Sequence, residues 1–195
     1  MADIQTTKPG RPDKAEETSF ARWLIETALL VALAFALAQG IKGFVAQPFI
    51  VPTGSMIPTI ELRNYLLAEK ISYRFIRKPQ YQDIVVFNNP THDPAAPILI
   101  KRLIASGGQT VDLKDGAVYV DGKKLDEPYT YGKPSYPLNP AITYPYKVPD
   151  NSYWMMGDNR TNSGDSREFG AIPASAVIGH AVWTYWPIAK FGPLK

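Results

Sequence analysis

The chain has 195 residues, 45% hydrophobic content, 20% charged residues and a formal net charge of +3, which suits one domain plus an anchor and not a strongly cationic nucleic-acid binder. It contains no cysteine, which excludes disulfides, thiolate catalysis and cysteine-based metal sites. His92 and His180 are its two histidines, too few for a His-rich metal centre.

Residues 1–20 are polar, with Lys8, Pro9, Gly10, Arg11, Pro12 and Lys14, and read as a disordered tail; residues 1–22 together form the expected cytoplasmic tail. Trp23 to Val45 is apolar apart from Glu26, Gln39 and Lys42. As a helix rising ~1.5 Å per residue it reaches across a ~30 Å hydrocarbon core, with Glu26 and Lys42 near the two interfaces. Two readings compete: a cleavable signal peptide, since Ala36-Leu37-Ala38 is an acceptable cleavage tripeptide, and a buried core helix, for which so broad an apolar stretch is unusual. The long mixed-charge leader and the apolar continuation through Phe44 and Val45 favour a retained anchor. Lys8, Arg11, Lys14 and Arg22 precede the span, which places the N-terminus in the cytoplasm and residues 46–195 on the trans side.

The remainder reads as β structure. Ile84 to Phe87 and Ile98 to Ile104 are strand runs, the second interrupted by Lys101 and Arg102. Thr110 to Leu125 reads as successive strands with hairpin turns at Asp115-Gly116 and Asp121-Gly122. Ser152 to Met156 and Ala181 to Trp186 supply later strands. Residues 126–149 hold six prolines and form an excursion without long regular structure.

Three segments carry candidate chemistry. Ser55 lies in Val51-Pro52-Thr53-Gly54-Ser55-Met56-Ile57-Pro58, close behind the apolar span. A serine nucleophile needs a base. His92 sits among turn residues and reads as an exposed loop histidine; His180 reads as structural. Lys101 is the better base. Alternation sends it and Arg102 to opposite faces of a strand, so one of the two points to a side shared with apolar residues. Burial lowers a lysine pKa, which must fall from ~10.4 toward ~7–8 for general-base work. Arg102 stays protonated and cannot substitute. The competing reading makes Lys101 an edge-strand charge that opposes aggregation. The third segment, Met156 to Arg167, crowds acids, arginines, amides and hydroxyls together. It reads as a solvated loop, as a calcium loop lacking the closing glutamate, or as a rigid shell held by Asp–Arg pairs.

Together these segments resemble the type I signal peptidases, the membrane-anchored Ser/Lys endopeptidases, over nearly all of the chain from the anchor to Ile188. Pro52 to Thr59 is similar to the nucleophile segment, Lys101-Arg102 to the lysine segment, Gly157 to Arg167 to the last block, and Asp83 to Phe87 to a strand near the site. The resemblance implies a mainly β fold: one N-terminal transmembrane helix followed by an antiparallel β-sheet catalytic domain. It implies Ser55 as nucleophile and Lys101 as base. Thr53 and the Ser55 N–H would form the oxyanion hole, Ser163 would hydrogen-bond the lysine amine, and Asp158, Asp165, Arg167 and Arg102 would steady the shell. Met56 would wall the site. Thr161 and the turn Ala105 to Gln109 depart from the family pattern and put loop geometry in doubt. The implied activity is removal of signal peptides from exported preproteins after small residues, by a monomer in a bilayer, with no metal, cofactor or nucleic acid. The bacterial plasma membrane is expected, with the thylakoid as a second reading. A non-catalytic membrane-tethered β-domain and a self-cleaving Ser/Lys protease of the repressor type are the alternatives.

Overall fold

The computed structural model describes residues 14–194. They form two units, divided between Lys42 and Gly43.

The first unit is most of a 31-residue helix, α1 (Lys14–Phe44). Residues Phe20–Phe44 are long and apolar enough to cross a membrane, with mean hydropathy 2.0. These 25 residues span roughly 37 Å. The side chains are apolar around the whole circumference, and Leu29, Leu30, Leu33, Phe35 and Leu37 are all exposed. A helix without a polar face is a poor surface helix of a soluble domain. Two local bonds reinforce its start: the Arg22–Glu26 ion pair and the Thr27 hydroxyl donating to the Trp23 carbonyl. The expected tail is shorter than 1–22, because Lys14 to Arg22 continue the helix, as a composition rich in Ala, Glu, Lys and Arg favours. Residues 1–13 lie outside the described residues.

The second unit is built on antiparallel strands. In chain order they are β1 (Ala46–Ile50), β2 (Tyr65–Glu69), β3 (Ile84–Asn88), β4 (Ile98–Ser106), β5 (Thr110–Lys114), β6 (Ala117–Val120), β7 (Lys123–Lys124), β8 (Tyr146–Lys147), β9 (Ser152–Met156), β10 (Ile172–Pro173), β11 (Val177–Trp186) and β12 (Gly192–Pro193). A four-residue helix, α2 (Ser166–Phe169), follows the polar block. The large sheet runs β1-β2-β11-β3-β4-β9-β10, with β12 beside β11; the small sheet runs β7-β6-β5-β8.

Both predicted hairpin turns form. Asp115 and Gly116 have φ of 52° and 75°, Asp121 and Gly122 of 50° and 77°, the paired positive values that match a right-twisted hairpin. Strands β3 and β9 stand where the sequence puts them, while β4 runs on to Ser106 and β11 starts at Val177. The β1–β2 pair was not anticipated. Pro48 interrupts β1, which is tolerated because β1 is an edge strand of this sheet.

The core explains the strand order. Val86, Leu66, Ala68, Ile60 and Met56 pack on one side of the large sheet, whereas Val85, Phe87, Leu103 and Met155 pack in a separate cluster. A third cluster, with Ile104, Val111, Val118 and Trp154, joins the two sheets. The excursion 126–149 contains only a single turn of 3-10 helix at Pro128–Thr130 and the two residues of β8. Its Tyr144 and Tyr146 pack against Trp154. Strand β4 is therefore interior, flanked by β3 and β9, which rules out the edge-charge reading of Lys101.

Candidate active site

Ser55 follows β1 in a run of tight turns and is 7% exposed. Its loop is fixed from the other end of the chain. The Asn159 amide donates to the Ser55 carbonyl at 3.0 Å, and Asn159 Nδ2 donates to the Gly54 carbonyl at 2.9 Å. Gly157 explains how these segments approach. A Cβ there would overlap the Ser55 carbonyl oxygen and the Ser163 side chain, so only glycine admits this contact.

Lys101 is centred in β4 and 2% exposed. Its Nζ donates to Ser55 Oγ at 2.6 Å. Burial lowers its pKa from 10.5 to about 8; Asp165 and Asp158 act to raise it, and Arg167 to lower it. Desolvation outweighs the two acids, so a substantial neutral fraction exists near pH 8. A neutral lysine accepts a proton from a serine hydroxyl at this distance. Thr53 Oγ1 lies 3.3 Å from Ser55 Oγ, within reach of a group that develops beside the nucleophile. Met56 is buried and lines the same apolar cavity as Ser55.

Arg102 is as buried as its neighbour, at 2%. One of the two was expected to meet apolar surroundings; in fact both leave solvent, and the sheet compensates Arg102 differently. Arg102 Nε and Nη2 bind Asp158 in a fork at 2.8 and 2.7 Å. The Tyr129 ring covers its guanidinium at 4.1 Å, and Asp158 also accepts from the Thr59 hydroxyl. The pairing bridges β4, the end of β9 and the loop carrying Ser55.

The polar block adopts the rigid-shell alternative. Asp165 caps α2, forks to Arg167 Nε and Nη2, both at 2.9 Å, and accepts the Gly157 amide at 3.0 Å. Arg167 Nη2 also donates to the Arg160 carbonyl, and Ser166 Oγ accepts the Met155 amide. Asp158, Asp165 and Arg167 are each no more than 1% exposed, which is incompatible with a solvated loop. Ser163 departs from expectation: its hydroxyl is buried but has no hydrogen-bond partner, and Lys101 bonds Ser55 instead.

Sequence reasoning missed the contribution of residues 126–149. Glu127 forks to the buried Arg160, Ser135 accepts from the same guanidinium, and Lys133 donates to Asn159 Oδ1 at 2.6 Å. The excursion thus holds Asn159, which holds Ser55. No local signal marked this: Asp158, two residues before Arg160, is the nearer partner by sequence, yet it pairs with Arg102. The histidines stay apart from the site. His92 is exposed in a turn. His180 lies 3.7 Å from both Glu69 and Asp83, and burial lowers its pKa despite them.

An apolar cavity of about 210 Å³ opens beside Ser55, lined by Phe49, Ile50, Met56 and Ile100 together with Ala95 to Leu99. A polar groove of about 330 Å³ adjoins it, containing Ser55 and Lys101 with Asn89, Asp93, Asn162 and Glu168. Ser55 and Lys101 therefore stand where an apolar pocket meets an open groove.

The "Signal peptidase, peptidase S26" family matches residues 24–186. A probable signal peptidase I-1 of Synechocystis is 40% identical over 89% of this chain and 88% of its own. A signal peptidase I of Leptolyngbya laminosa is 37% identical over 96% and 92%. The crystal structure of a signal peptidase I from Enterococcus faecalis aligns at TM-score 0.45 and 33% identity, covering 53% of this chain and 97% of that one.

Proposed function

The chain belongs to the signal peptidase family, peptidase S26, and we propose that within it Ser55 is the nucleophile and Lys101 the general base. The protein is a serine endopeptidase that removes signal peptides from preproteins. The observation that carries the residue assignment is the 2.6 Å hydrogen bond from a buried lysine to the serine, with the lysine pKa lowered to about 8.

Neutral Lys101 takes the Ser55 proton as Oγ attacks the scissile carbonyl carbon. The developing oxyanion is held by the Thr53 hydroxyl and the Ser55 N–H, which has no acceptor among the described residues. The lysine ammonium then protonates the leaving amine, releasing the mature chain. Lys101, neutral again, deprotonates water to cleave the acyl-enzyme. Arg102–Asp158 and Asp165–Arg167 act on geometry: they lock β4 and the loop of Ser55 in one register. The Ser163 hydroxyl, buried and unpartnered, is the proposed positioning group for the lysine.

Substrate binds as an extended strand with its small side chains in the apolar cavity, whose lining of Phe49, Ile50, Met56 and Ile100 disfavours charged residues. Phe20–Phe44 is a retained single-pass anchor. The basic residues before it support a cytoplasmic N-terminus and a catalytic domain on the trans side of the bacterial plasma membrane. The enzyme is proposed to act as a monomer.

The test is cleavage of a preprotein by full-length protein in detergent, with the new N-terminus mapped. Ser55→Ala and Lys101→Ala are each expected to lose at least about 10⁴-fold in kcat. Wild-type rates in either variant would remove the dyad, as a purely binding domain requires. A new N-terminus within this chain itself would favour the self-cleaving alternative.

A further inference from the structure

Residues 70–79 have no part in the chemistry above. Their sequence is Lys70-Ile71-Ser72-Tyr73-Arg74-Phe75-Ile76-Arg77-Lys78-Pro79, with four cations and no acid. Ser72–Ile76 form one turn of π-helix with no buried residue. Phe75 and Ile76 are 76% and 73% exposed. Single exposed apolar residues are ordinary; two adjacent ones on a cationic turn form an amphipathic surface of interfacial type.

The turn is tied to the end of the candidate span. The Lys70 amide donates to the carbonyl of Val45, the residue after α1, at 2.8 Å. The Arg74 guanidinium lies 5.3 Å from the ring of Phe44, the last residue of the span. A bilayer crossed by Phe20–Phe44 therefore has its headgroups at the level of this turn. Beside the turn lies a cavity of about 420 Å³, lined by Lys70, Tyr73, Arg74, Lys78, Asn151 and Tyr153 among others, with no carboxylate in its wall. Asp83 binds Arg77 and Tyr73, Glu69 accepts the Ser72 amide, and Lys70 Nζ donates to Gln47 Oε1, so Arg74 and Lys78 are the exposed cations of this wall.

We propose that residues 70–79 bind an anionic phospholipid. Its phosphate occupies the cavity beside Arg74 and Lys78, and Phe75 and Ile76 enter the acyl layer. This contact fixes the height of Ser55 above the bilayer at a second point besides the anchor. The inference rests on reading Phe20–Phe44 as a membrane span.

The chain has no cysteine, so Ile76→Cys accepts a single environment-sensitive fluorophore. Tyr131→Cys, at a residue 76% exposed, is the reference position. Each full-length variant is placed in bilayer discs of phosphatidylcholine, alone or with phosphatidylglycerol, containing lipid with a quencher in its acyl chain. Quenching is expected at position 76 and not at 131, and to require phosphatidylglycerol. Arg74→Gln with Lys78→Gln, both at exposed residues, is expected to lower the docked-to-undocked ratio roughly thirtyfold, about fivefold per cation. Equal quenching at 76 and 131, or equal quenching in both lipid mixtures, overturns the proposal. Alkaline carbonate separates the two readings. Release of the chain from membranes removes the span and the lipid site together, whereas retention without quenching removes the lipid site alone.

Discussion

Replacing Lys101 by methionine is expected to abolish cleavage and to stabilise the fold, in a pH-dependent way. The Lys101 pKa is about 8 and not 10.5, chiefly because burial removes water from the ammonium. That difference corresponds to about 3 kcal/mol by which the folded chain disfavours the charged lysine. Below pH 8 the lysine is protonated in both folded and unfolded chains, and the folded state bears the full cost. Between about 8 and 10.5 the unfolded chain binds a proton that the folded chain does not, so wild-type stability rises with pH across that window. Above 10.5 the lysine is neutral in both states and the cost is gone. Methionine fills a similar straight-chain volume without charge. It also loses the bond to Ser55 Oγ, worth about 1 kcal/mol. The net gain at pH 7 is therefore about 2 kcal/mol, or roughly 4–8 °C in Tm for a chain of this size. Thermal unfolding of full-length protein in detergent, followed by circular dichroism from pH 7 to 10.5, measures it. A variant that melts at or below the wild type at pH 7, or a gain that does not shrink toward pH 10.5, would refute desolvation as the cause of the lowered pKa.

The same lysine sets the pH–rate profile: kcat/KM should rise about tenfold per pH unit below about 8 and level off above it, and a flat profile from pH 6 to 9 would remove Lys101 as the base. Thr53→Val should lower kcat by about 10²–10³-fold with little change in KM, and Thr53→Ser should restore it, if the hydroxyl stabilises the oxyanion. Glu127→Gln leaves the Arg160 charge buried without its carboxylate and should cost about 3 kcal/mol in denaturant unfolding. Asp158→Asn should cost a similar amount by stranding Arg102, whereas Arg102→Met with Asp158→Leu should recover most of it, because no unpaired charge remains.

The segments of the proposed dyad were singled out in the sequence because each is locally anomalous, and the family resemblance joined them. Lys101 breaks an apolar strand, Ser55 stands between glycine and proline behind a long apolar run, and the block from Gly157 to Arg167 holds too many charges for its length. The Asp-Gly pairs specified two hairpins through their positive φ alone. Fold class and an apolar helix of spanning length followed from period and span, which are one-dimensional properties. The supports were not legible. Glu127, Lys133 and Tyr129 sit in a proline-rich stretch with no periodicity, and their partners lie 33, 26 and 27 residues away. Nothing local marks them.

The sequence by itself determined the residue types able to transfer a proton and the order in which they occur. The tertiary structure alone decided the protonation state and the partnerships. Lys101 and Arg102 are adjacent cations of equal burial. One is left without a carboxylate partner, and its pKa falls. The other meets Asp158 and the Tyr129 ring. Coulomb energy and desolvation depend on what surrounds a charge in three dimensions, and strand alternation sent these two neighbours to opposite sides of the same sheet.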